Sequence, residues 1–471
     1  MRIGIFTLLM IALLLLNVYP SQARDDEALL IDLRGASSQD LQSLETLHGP
    51  RWRLEAGITL LLAGNSNTIR ANLNQQRAIV RELGRVAIDE LALHARGCNG
   101  DTMPIDESLI LLRGASYDLV RRPKSFSPLA DARRAEGVAR SEGPEWLPVE
   151  PNMTLARLHR FDRLQGAQPV NQSIATIVDR VDPTRWFATV TTLAQWDRSS
   201  YSTELEQARQ WIADEFAGLG LSISEPFFSF IYQGVPANVA NVIGRIDGVQ
   251  YPDEWIVVGG HYDSRNAVNG ANSPENTPGA DDNASGCSGV IEAARALVPY
   301  RPLRTVLFMC YSGEEQGLQG SLAHVNALND AGHLSKVNAM LNMDMIGWSQ
   351  DATLGVIIAT LNGSANAQLA TLLADSALTY APTLDPDFVV TTTSTCCSDH
   401  MPYLNAGRPA AMSIHRGSAA ASPHYHQASD TPANLGAHAQ DIGSAIVRMN
   451  VAALTQLAGT DLIFADGYGD P

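Results

Sequence analysis

The strongest constraint on this chain is a series of short, nearly continuous apolar stretches in its last two-thirds, each followed by acidic or histidine residues. Residues 256–260, 304–310 and 339–345 are such stretches, and segments with helical spacing separate several of them. Strands that are buried on both faces have this composition, and parallel neighbours need a crossover connection that is usually a helix. The pattern therefore predicts an α/β fold with a mostly parallel central sheet and helices on both faces.

Local periodicity predicts further elements of the same fold. Two helices and two strands are expected at 174–181, 186–193, 227–232 and 241–246. A third helix is predicted to present one apolar face made of Leu205, Ala208, Ile212 and Phe216. Thr203 and Glu206 have the spacing of a capping box at its start, and Gly218 is expected to end it.

Residues 24–120 predict a smaller α+β region that precedes the main fold. Strands are expected at 29–33, 52–62 and 108–112, and a helix at 72–94. Arginine, glycine and proline residues break any periodicity between 121 and 165, which indicates a linker. The N-terminal region is expected to be either a removable pro-segment or a permanent accessory domain. The main domain is placed at 166–466, with a short tail at 467–471.

Composition limits the class of protein and of partner. The 471 residues are 45% hydrophobic and 18% charged, which is typical of a globular chain with a large core. The formal net charge is -17. Nucleic acids and anionic membranes both need a basic face, so the charge argues against either partner. The sequence does not indicate an oligomeric state.

Residues 1–23 have the composition of a secretory signal sequence. Arg2 forms a short basic start, residues 3–18 are almost wholly apolar, and small residues allow cleavage after Ala23. A membrane anchor is the alternative, but the apolar run is short for a span. We expect export to the periplasm or the medium, without stable membrane association after cleavage. Export permits disulfides, but the sequence does not pair the five cysteines, which are Cys98, Cys287, Cys310, Cys396 and Cys397.

Acidic and histidine residues are concentrated where the predicted strands end. They are His261, Asp263, Asp281, Asp282, Glu314, Glu315, Asp344, Asp399, His400, His424 and His426. Ligands gather at the carboxyl ends of parallel strands. Adjacent carboxylates are costly to bury unless a positive charge lies among them, so a divalent metal is one explanation of the acidic loop at 278–286. An exposed turn that caps the following helix is the other explanation.

Taken together, these motifs resemble those of peptidase family M28, the co-catalytic zinc aminopeptidases that include secreted bacterial leucyl aminopeptidases. The ordered set is His261-x-Asp263, Gly279-Ala280-x-Asp282-x-x-Ser285-Gly286, Gly313-Glu314-Glu315, Asp344-Met345, Ser398-Asp399-His400 and His426 before Asp430-Thr431. The resemblance covers roughly residues 170–465. The combined set is specific, although each motif alone is weak. It implies the zinc-peptidase sandwich fold.

The resemblance implies two zinc ions per chain. Asp282 corresponds to the carboxylate that bridges the two metals. Glu315 and His426 would complete one site, and His261 and Asp344 would complete the other. Imidazole and carboxylate ligands suit zinc, with Co²⁺ or Mn²⁺ as substitutes.

The resemblance also implies the catalytic roles. Glu314 would be the general base, Asp263 would orient His261, and the peptide bond between Asp282 and Asn283 would be cis. The implied function is an exported metallo-aminopeptidase that acts on peptides with a free N-terminus. The alternative is a glutaminyl-peptide cyclotransferase or a carboxypeptidase-like relative on the same fold. The preferred N-terminal residue does not follow from the sequence: Ile346, Met401 and Tyr403 are candidates to line its pocket and are equally candidates for the core.

Overall fold

The computed structural model describes most of the chain after residue 168 and parts of the chain before it. The described residues are 27–33, 36, 38–48, 50–57, 59–73, 79–95, 107–112, 117–122, 146–149, 152–159, 169–269, 272–349, 352–391, 398–416 and 422–460. The predicted signal sequence, the tail, and Cys98, Cys396 and Cys397 lie outside them. Within these ranges, no helix combines the length and the apolar character that a membrane span requires.

The secondary-structure elements fall into an N-terminal region and a main region. Those of the N-terminal region are β1 Glu27–Asp32, α1 Ser38–Glu45, β2 Pro50–Gly57, β3 Thr59–Gly64, α2 Ser66–Leu73, β4 Ile79–Arg85, β5 Leu91–Ala95, β6 Ile110–Leu112, β7 Tyr117–Arg121, β8 Trp146–Pro148 and β9 Met153–His159. Those of the main region are α3 Gln172–Val178, α4 Pro183–Leu193, α5 Leu205–Gly218, β10 Ser222–Ser224, β11 Phe227–Tyr232, β12 Val235–Ala240, β13 Val242–Ile246, β14 Tyr251–His261, α6 Gly286–Leu297, β15 Arg304–Tyr311, α7 Gln319–Asp330, β16 Val337–Met343, β17 Leu354–Leu361, α8 Ser364–Tyr380, β18 Leu384–Thr391, α9 His400–Asn405, β19 Ala410–His415 and α10 Ala439–Ala458.

One large sheet runs through both regions. Its strand order in the described part of the chain is β10-β13-β15-β14-β16-β19-β17-β18-β9-β2-β3-β1-β4. β14 is parallel to both of its neighbours, β15 and β16, and β16 is parallel to β19. Antiparallel pairing begins outside this centre, at β13 with β15 and at β17 with β19. The predicted α/β fold with a parallel central sheet is confirmed.

Alternating side chains of the central strands build two cores. Val306 and Phe308 of β15 belong to a core on one face, whereas Leu307 and Met309 belong to a core on the other. Helices α6 and α10 contribute to the first core, and helices α7 and α9 contribute to the second. Since these strands are covered on both faces, their sequences are apolar at nearly every position, as parallel strands require.

The N-terminal region continues the same sheet. Strand β9 pairs with β18 of the main region on one side and with β2 on the other. Residues 121–165 were expected to be a linker, yet they supply β8 and β9. A hydrophobic cluster, here called the inter-region cluster, also spans the two regions, and its buried members are Leu29, Ile31, Leu33, Ala36, Leu44, Leu60, Leu62, Ile69, Leu73, Met345, Ile357, Met412 and Ile414.

The predicted helix at 72–94 is wrong. Helix α2 ends at Leu73, and the later residues form β4, a 3-10 turn at Ile88–Glu90 and β5. The apolar residues Leu83, Val86, Leu91 and Leu93 fit helical spacing, but β4 is instead a partner of β1, and β5 pairs with β7 and β8. The spacing of these apolar residues fits a helix as well as strands, and pairing with other strands decides for strands.

Two smaller expectations also differ from the structure. The single strand expected at 52–62 is a hairpin, because β2 and β3 are separate strands that pair with each other in antiparallel orientation. The capping box at α5 does not form, since the helix begins at Leu205 and its cap residue Glu204 makes no capping hydrogen bond through its side chain. Glu206 instead pairs with Arg209 one turn later. The apolar face of α5 is buried as expected.

Candidate metal centre

The three parallel strands at the centre of the sheet place acidic and imidazole groups together at their carboxyl ends. Strands β14, β15 and β16 end at His261, Tyr311 and Met343, and Glu314 and Asp344 follow shortly after. His261, Glu314 and Asp344 are buried, and one ligand atom from each lies within 4.8 Å of the others. The His261 Nε2 atom is 3.5 Å from the Asp344 Oδ1 atom. We call these three residues the strand-end cluster.

A second cluster adjoins the first. Asp282, Glu315 and His426 also bring one ligand atom each to within 4.8 Å of one another. The His426 Nε2 atom lies 3.0 Å from Asp282 Oδ2 and 3.2 Å from Glu315 Oε2. Asp282 and His426 both come from long connections that follow β14 and β19, so we call this group the loop cluster.

Asp282 joins the two clusters. Its Oδ1 atom is 3.3 Å from His261 Nε2, and its Oδ2 atom is 3.0 Å from His426 Nε2. The two oxygens of one carboxylate therefore face the imidazoles of two different clusters. The peptide bond between Asp282 and Asn283 is cis, as the resemblance implied.

The Asn283 amide secures the backbone around this carboxylate. Its Nδ2 group donates to the Met343 carbonyl at 3.0 Å, and its Oδ1 atom accepts from the Gly286 and Met345 N–H groups at 2.8 and 3.1 Å. The side chain is fully buried. Asn283 therefore ties the acidic loop to the end of β16 and has no room for the glycan that its sequon would otherwise allow.

Asp263 supports the site through both its backbone and its side chain. The carbonyl oxygen of Asp263, rather than its carboxylate, lies closer to His261 Nδ1, at 3.0 Å against 3.5 Å. The carboxylate accepts the backbone N–H groups of Glu314 and Glu315 at 3.2 and 3.3 Å. Asp263 thus fixes the imidazole through its backbone and fixes the Glu314–Glu315 turn through its side chain.

Burial and crowding of negative charge dominate the electrostatics of the site. Burial raises the pKa of Glu314 well above its usual range, and the neighbouring Glu315 and Asp344 raise it further. Burial and the charge of Asp282 likewise raise the pKa of Glu315. For Asp282, burial is outweighed by hydrogen bonds to His261 and His426, so its pKa is below the usual range. Carboxylates of this kind are poorly compensated by protein groups alone.

The residues fit divalent metal ions. Both carboxylate oxygens of Glu315 and the Oδ1 atom of Asp344 are buried without a hydrogen-bond partner among the described residues. Buried carboxylate oxygens without partners are costly unless they bind a cation. Imidazole nitrogens and carboxylate oxygens are the ligands that zinc accepts. The donor set therefore suits zinc, with His261, Asp344, Glu315 and His426 around a shared Asp282.

Arg198 is a functional residue that the sequence reasoning missed. Its guanidinium is fully buried and donates to the carbonyl oxygens of Tyr262, Pro278 and Gly279, each at 2.7 Å. Burial lowers the pKa of Arg198 to about 10, while nearby carboxylates including Asp430 and Asp263 oppose this shift. Arg198 remains a cation near neutral pH, and it holds the end of β14 against the start of the acidic loop.

Asp430 is a second missed residue. Its two carboxylate oxygens accept the backbone N–H groups of Asp281 and Asp282 at 2.9 and 3.0 Å. In the sequence, Asp430 appears only as the residue that follows His426 in the motif set. Asp281, which had no assigned role, pairs with His415 at 2.9 Å and accepts the Gly347 N–H at 2.8 Å. These contacts clamp the acidic loop from two sides.

Other candidates lie outside the two clusters. His424 bonds to Ser429 at 3.0 Å, whereas His426 enters the loop cluster. Asp399 and His400 are buried, and burial raises the pKa of Asp399 to about 7. Ile346, Met401 and Tyr403 are all buried in hydrophobic cores, which agrees with the core alternative for these three residues.

A disulfide lies beneath the site. It joins Cys287 of α6 to Cys310 of β15, and both residues are fully buried. Helix α6 follows directly from the loop that carries Asp282, and β15 leads into the Glu314–Glu315 turn. The covalent bond therefore links the elements that carry two ligands of the loop cluster.

Comparison with known proteins agrees with this geometry. Residues 241–450 match the model of peptidase family M28. A probable zinc metalloprotease from Pyrenophora tritici-repentis is 30% identical over 262 residues, which are 51% of this chain and 50% of that protein. A probable leucine aminopeptidase from Arthroderma otae is 36% identical over 242 residues, 44% of this chain and 62% of that protein. The chain thus spans about half the length of the first curated relatives that it matches.

Solved structures share the fold. The LapA aminopeptidase of Legionella pneumophila superposes with a TM-score of 0.53 and 20% identity, covering 78% of this chain and 98% of that one. The matched segment of the family model contains every residue of both clusters. Residues 241–450 therefore resemble peptidase family M28, relatives of the chain are named zinc metalloproteases and a leucine aminopeptidase, and this resemblance together with the two clusters supports a hydrolase.

Proposed function

We propose that this chain is an exported aminopeptidase that removes N-terminal residues from peptides. The enzyme would use two zinc ions, with Glu314 as the general base. The observation that carries the proposal is the position of Asp282, whose two oxygens face the imidazoles of His261 and His426 at 3.3 and 3.0 Å. A carboxylate in this position suits a bridge between two metals. His261 and Asp344 would complete one site, and Glu315 and His426 the other.

When bound, the zinc ions would lower the pKa of a water molecule and polarise the scissile carbonyl. Co²⁺ or Mn²⁺ would be workable substitutes. The chain's own residues supply proton transfer. Glu314 is buried beside the proposed ligands without being one of them, so its carboxylate is placed to take a proton from water and return it to the leaving amine. The two N–H groups that Asp263 accepts hold the Glu314–Glu315 turn in place during this transfer.

The substrate class follows from the proposed zinc ions. A free N-terminal amino group is a nitrogen donor that one of these ions would accept as a ligand, whereas an acylated nitrogen is not. The leucine aminopeptidase name of one relative agrees with this choice. The net charge of -17 makes nucleic acids and anionic membranes poor partners.

Export is proposed from the composition of residues 1–23 and is supported by the disulfide between Cys287 and Cys310, which an oxidising compartment allows. N-terminal sequencing of the protein recovered outside the cytoplasm tests it. A mature chain that begins at Arg24 is the expected result, and an intact Met1 in the recovered protein would contradict it.

The activity is tested with a matched pair of substrates. We expect hydrolysis of leucine p-nitroanilide but not of N-acetyl-leucine p-nitroanilide, because acetylation removes the free amino group. A chelator should abolish the activity and added zinc should restore it. Equal cleavage of both substrates would rule out an aminopeptidase. Cyclisation of N-terminal glutamine with one zinc per chain would instead favour the glutaminyl-peptide cyclotransferase alternative.

A further inference from the structure

The N-terminal region packs against the back of the metal centre. The inter-region cluster combines side chains of β1 and β3, such as Ile31 and Leu62, with four residues of the main region. One of those four is Met345, and the half-buried Tyr425 packs against the same cluster. Met345 directly follows Asp344 and Tyr425 directly precedes His426, so each is the chain neighbour of a proposed metal ligand.

Tyr425 has a second contact with the site. Its ring is stacked on the His426 imidazole, with the ring centroids 3.7 Å apart and the planes inclined by 24°. One face of the His426 ring is therefore covered by a side chain that the inter-region cluster holds. The orientation of this imidazole depends on where Tyr425 lies.

The backbone at both positions needs support. Met345 and His426 have φ values of 52° and 54°, in the left-handed region that residues with a side chain seldom adopt. Such a conformation persists where surrounding contacts fix it. Hydrogen bonds supply part of this support, since Met345 N–H donates to Asn283 and the His426 carbonyl accepts from Ala267 N–H at 2.8 Å. Burial of the Met345 and Tyr425 side chains supplies the remainder.

We propose that the N-terminal region is a permanent wall of the metal centre, and that the face of β3 carrying Leu62 positions Asp344 and His426 through Met345 and Tyr425. This inference rests on the proposed zinc function. On this proposal the N-terminal region is a permanent accessory domain rather than a removable pro-segment, because its removal would expose the Met345 and Tyr425 side chains that it now covers. Since Asp344 belongs to the strand-end cluster and His426 to the loop cluster, the wall supports both.

Strand β3 provides a matched pair of variants. Leu62 is fully buried in the inter-region cluster, whereas its neighbour Leu61 is equally buried in a separate cluster on the opposite face of the strand. Leu62→Ala and Leu61→Ala remove the same atoms from the same strand. Zinc affinity of the full-length chain is measured by competition with a chromophoric chelator, and unfolding is followed in parallel.

We expect Leu62→Ala to weaken zinc binding about tenfold, the lower end of the effect of residues that orient ligands. Leu61→Ala should destabilise the fold similarly but leave the zinc affinity unchanged. Equal zinc affinities in the two variants would overturn the proposal. If the unmutated chain bound no zinc, the proposed function itself would fail, and that result is distinct.

A second pair guards against a folding defect. Tyr425→Phe keeps the stacked ring, and Tyr425→Ala removes it from a side chain that is only half-buried. Zinc affinity should be retained by the first variant and reduced about tenfold by the second. Reduction of kcat with little change in KM is expected to accompany the loss. Unaltered zinc affinity in Tyr425→Ala would contradict a positioning role.

Discussion

The two ligand clusters are supported by different parts of the fold. The strand-end cluster, His261, Glu314 and Asp344, stands directly at the ends of three parallel strands whose backbones are paired with one another. The loop cluster takes Asp282 and His426 from long connections. Its geometry depends on side chains that bond to loop backbone, chiefly Asp430 and Arg198. The strand-end cluster thus depends mainly on paired strands, with Asp263 holding the turn that carries Glu314, whereas Asp282 and His426 depend on side chains that bond to loop backbone.

This difference predicts where substitutions outside the ligands will act. Changes behind the loop cluster should alter metal binding, because Asp282 and His426 lie in connections rather than at the ends of paired strands. Within the strand-end cluster only Glu314 is not a proposed ligand, so a change at that residue should alter chemistry and leave metal binding intact.

Glu314→Gln should lower kcat about a thousandfold, because the amide cannot accept the proton that a general base must take. The zinc content should stay near that of the unmutated chain, since the proposed ligands are untouched. Steady-state kinetics and metal analysis check both parts. Glu275→Gln, at an exposed position, is the control. Loss of metal together with activity would make Glu314 a ligand of the strand-end cluster, a role that its position also permits.

Acid should destabilise the fold through His324 of helix α7. His324 is buried on helix α7, its Nδ1 atom lies 2.6 Å from the Tyr403 hydroxyl, and burial lowers its pKa from 6.5 to about 4. Because the folded pKa is depressed, the unfolded chain binds the proton more readily. The associated stability is complete above pH 6.5 and is lost as the pH falls towards 4, by up to about 3 kcal/mol.

The measurement uses protein from which a chelator has removed the metal, so that loss of metal ions at low pH does not contribute to the free energy of unfolding. The free energy of unfolding of the unmutated chain is compared with that of His324→Gln across this range. The difference between the two should shrink as the pH falls, since glutamine does not titrate. A difference that stays constant with pH would show that His324 does not contribute to the acid sensitivity.

We expect Asp430→Asn to weaken the affinity for the zinc ion at the loop cluster by ten- to a hundredfold, or about 1.4–2.7 kcal/mol. The affinity for the zinc ion at the strand-end cluster should change less. Asparagine keeps one acceptor oxygen and places an amide donor against the other backbone N–H, so the Asp281–Asp282 segment loses half of its clamp. Stepwise zinc titration by calorimetry measures the two affinities. Asp441→Asn, an exposed carboxylate in helix α10, serves for comparison. Equal weakening of both zinc equivalents would remove the distinction between the clusters.

The strand-end cluster could be predicted from the sequence because its residues follow apolar strands whose order and direction the pattern indicates. His261, Glu314 and Asp344 are each near the end of such a stretch. The resemblance then identified Asp282, Glu315 and His426, which local pattern alone leaves ambiguous. His424 and His426 lie two residues apart in the sequence, and the structure places only His426 in the loop cluster.

The supporting residues could not be predicted in the same way. Arg198 bonds to carbonyl groups of Pro278 and Gly279, about eighty residues away, and Asp430 bonds to N–H groups nearly one hundred and fifty residues away. Backbone groups are the same at every residue, so no sequence pattern marks the partner. The N-terminal region posed a related difficulty. Apolar residues between 79 and 94 fit both a helix and strands, and only their pairing with β1, β7 and β8 decides between them.

Strand β9 has a practical consequence for expression of the protein. It covers the edge of β18 by pairing from Phe388 to Thr391, and it also joins β2 on its other side. A truncated version that began near residue 170 would leave β18 as an open edge strand with unpaired backbone groups, the kind of edge through which sheets of separate molecules associate. The boundaries of the family match are therefore a poor guide to where this chain can be cut.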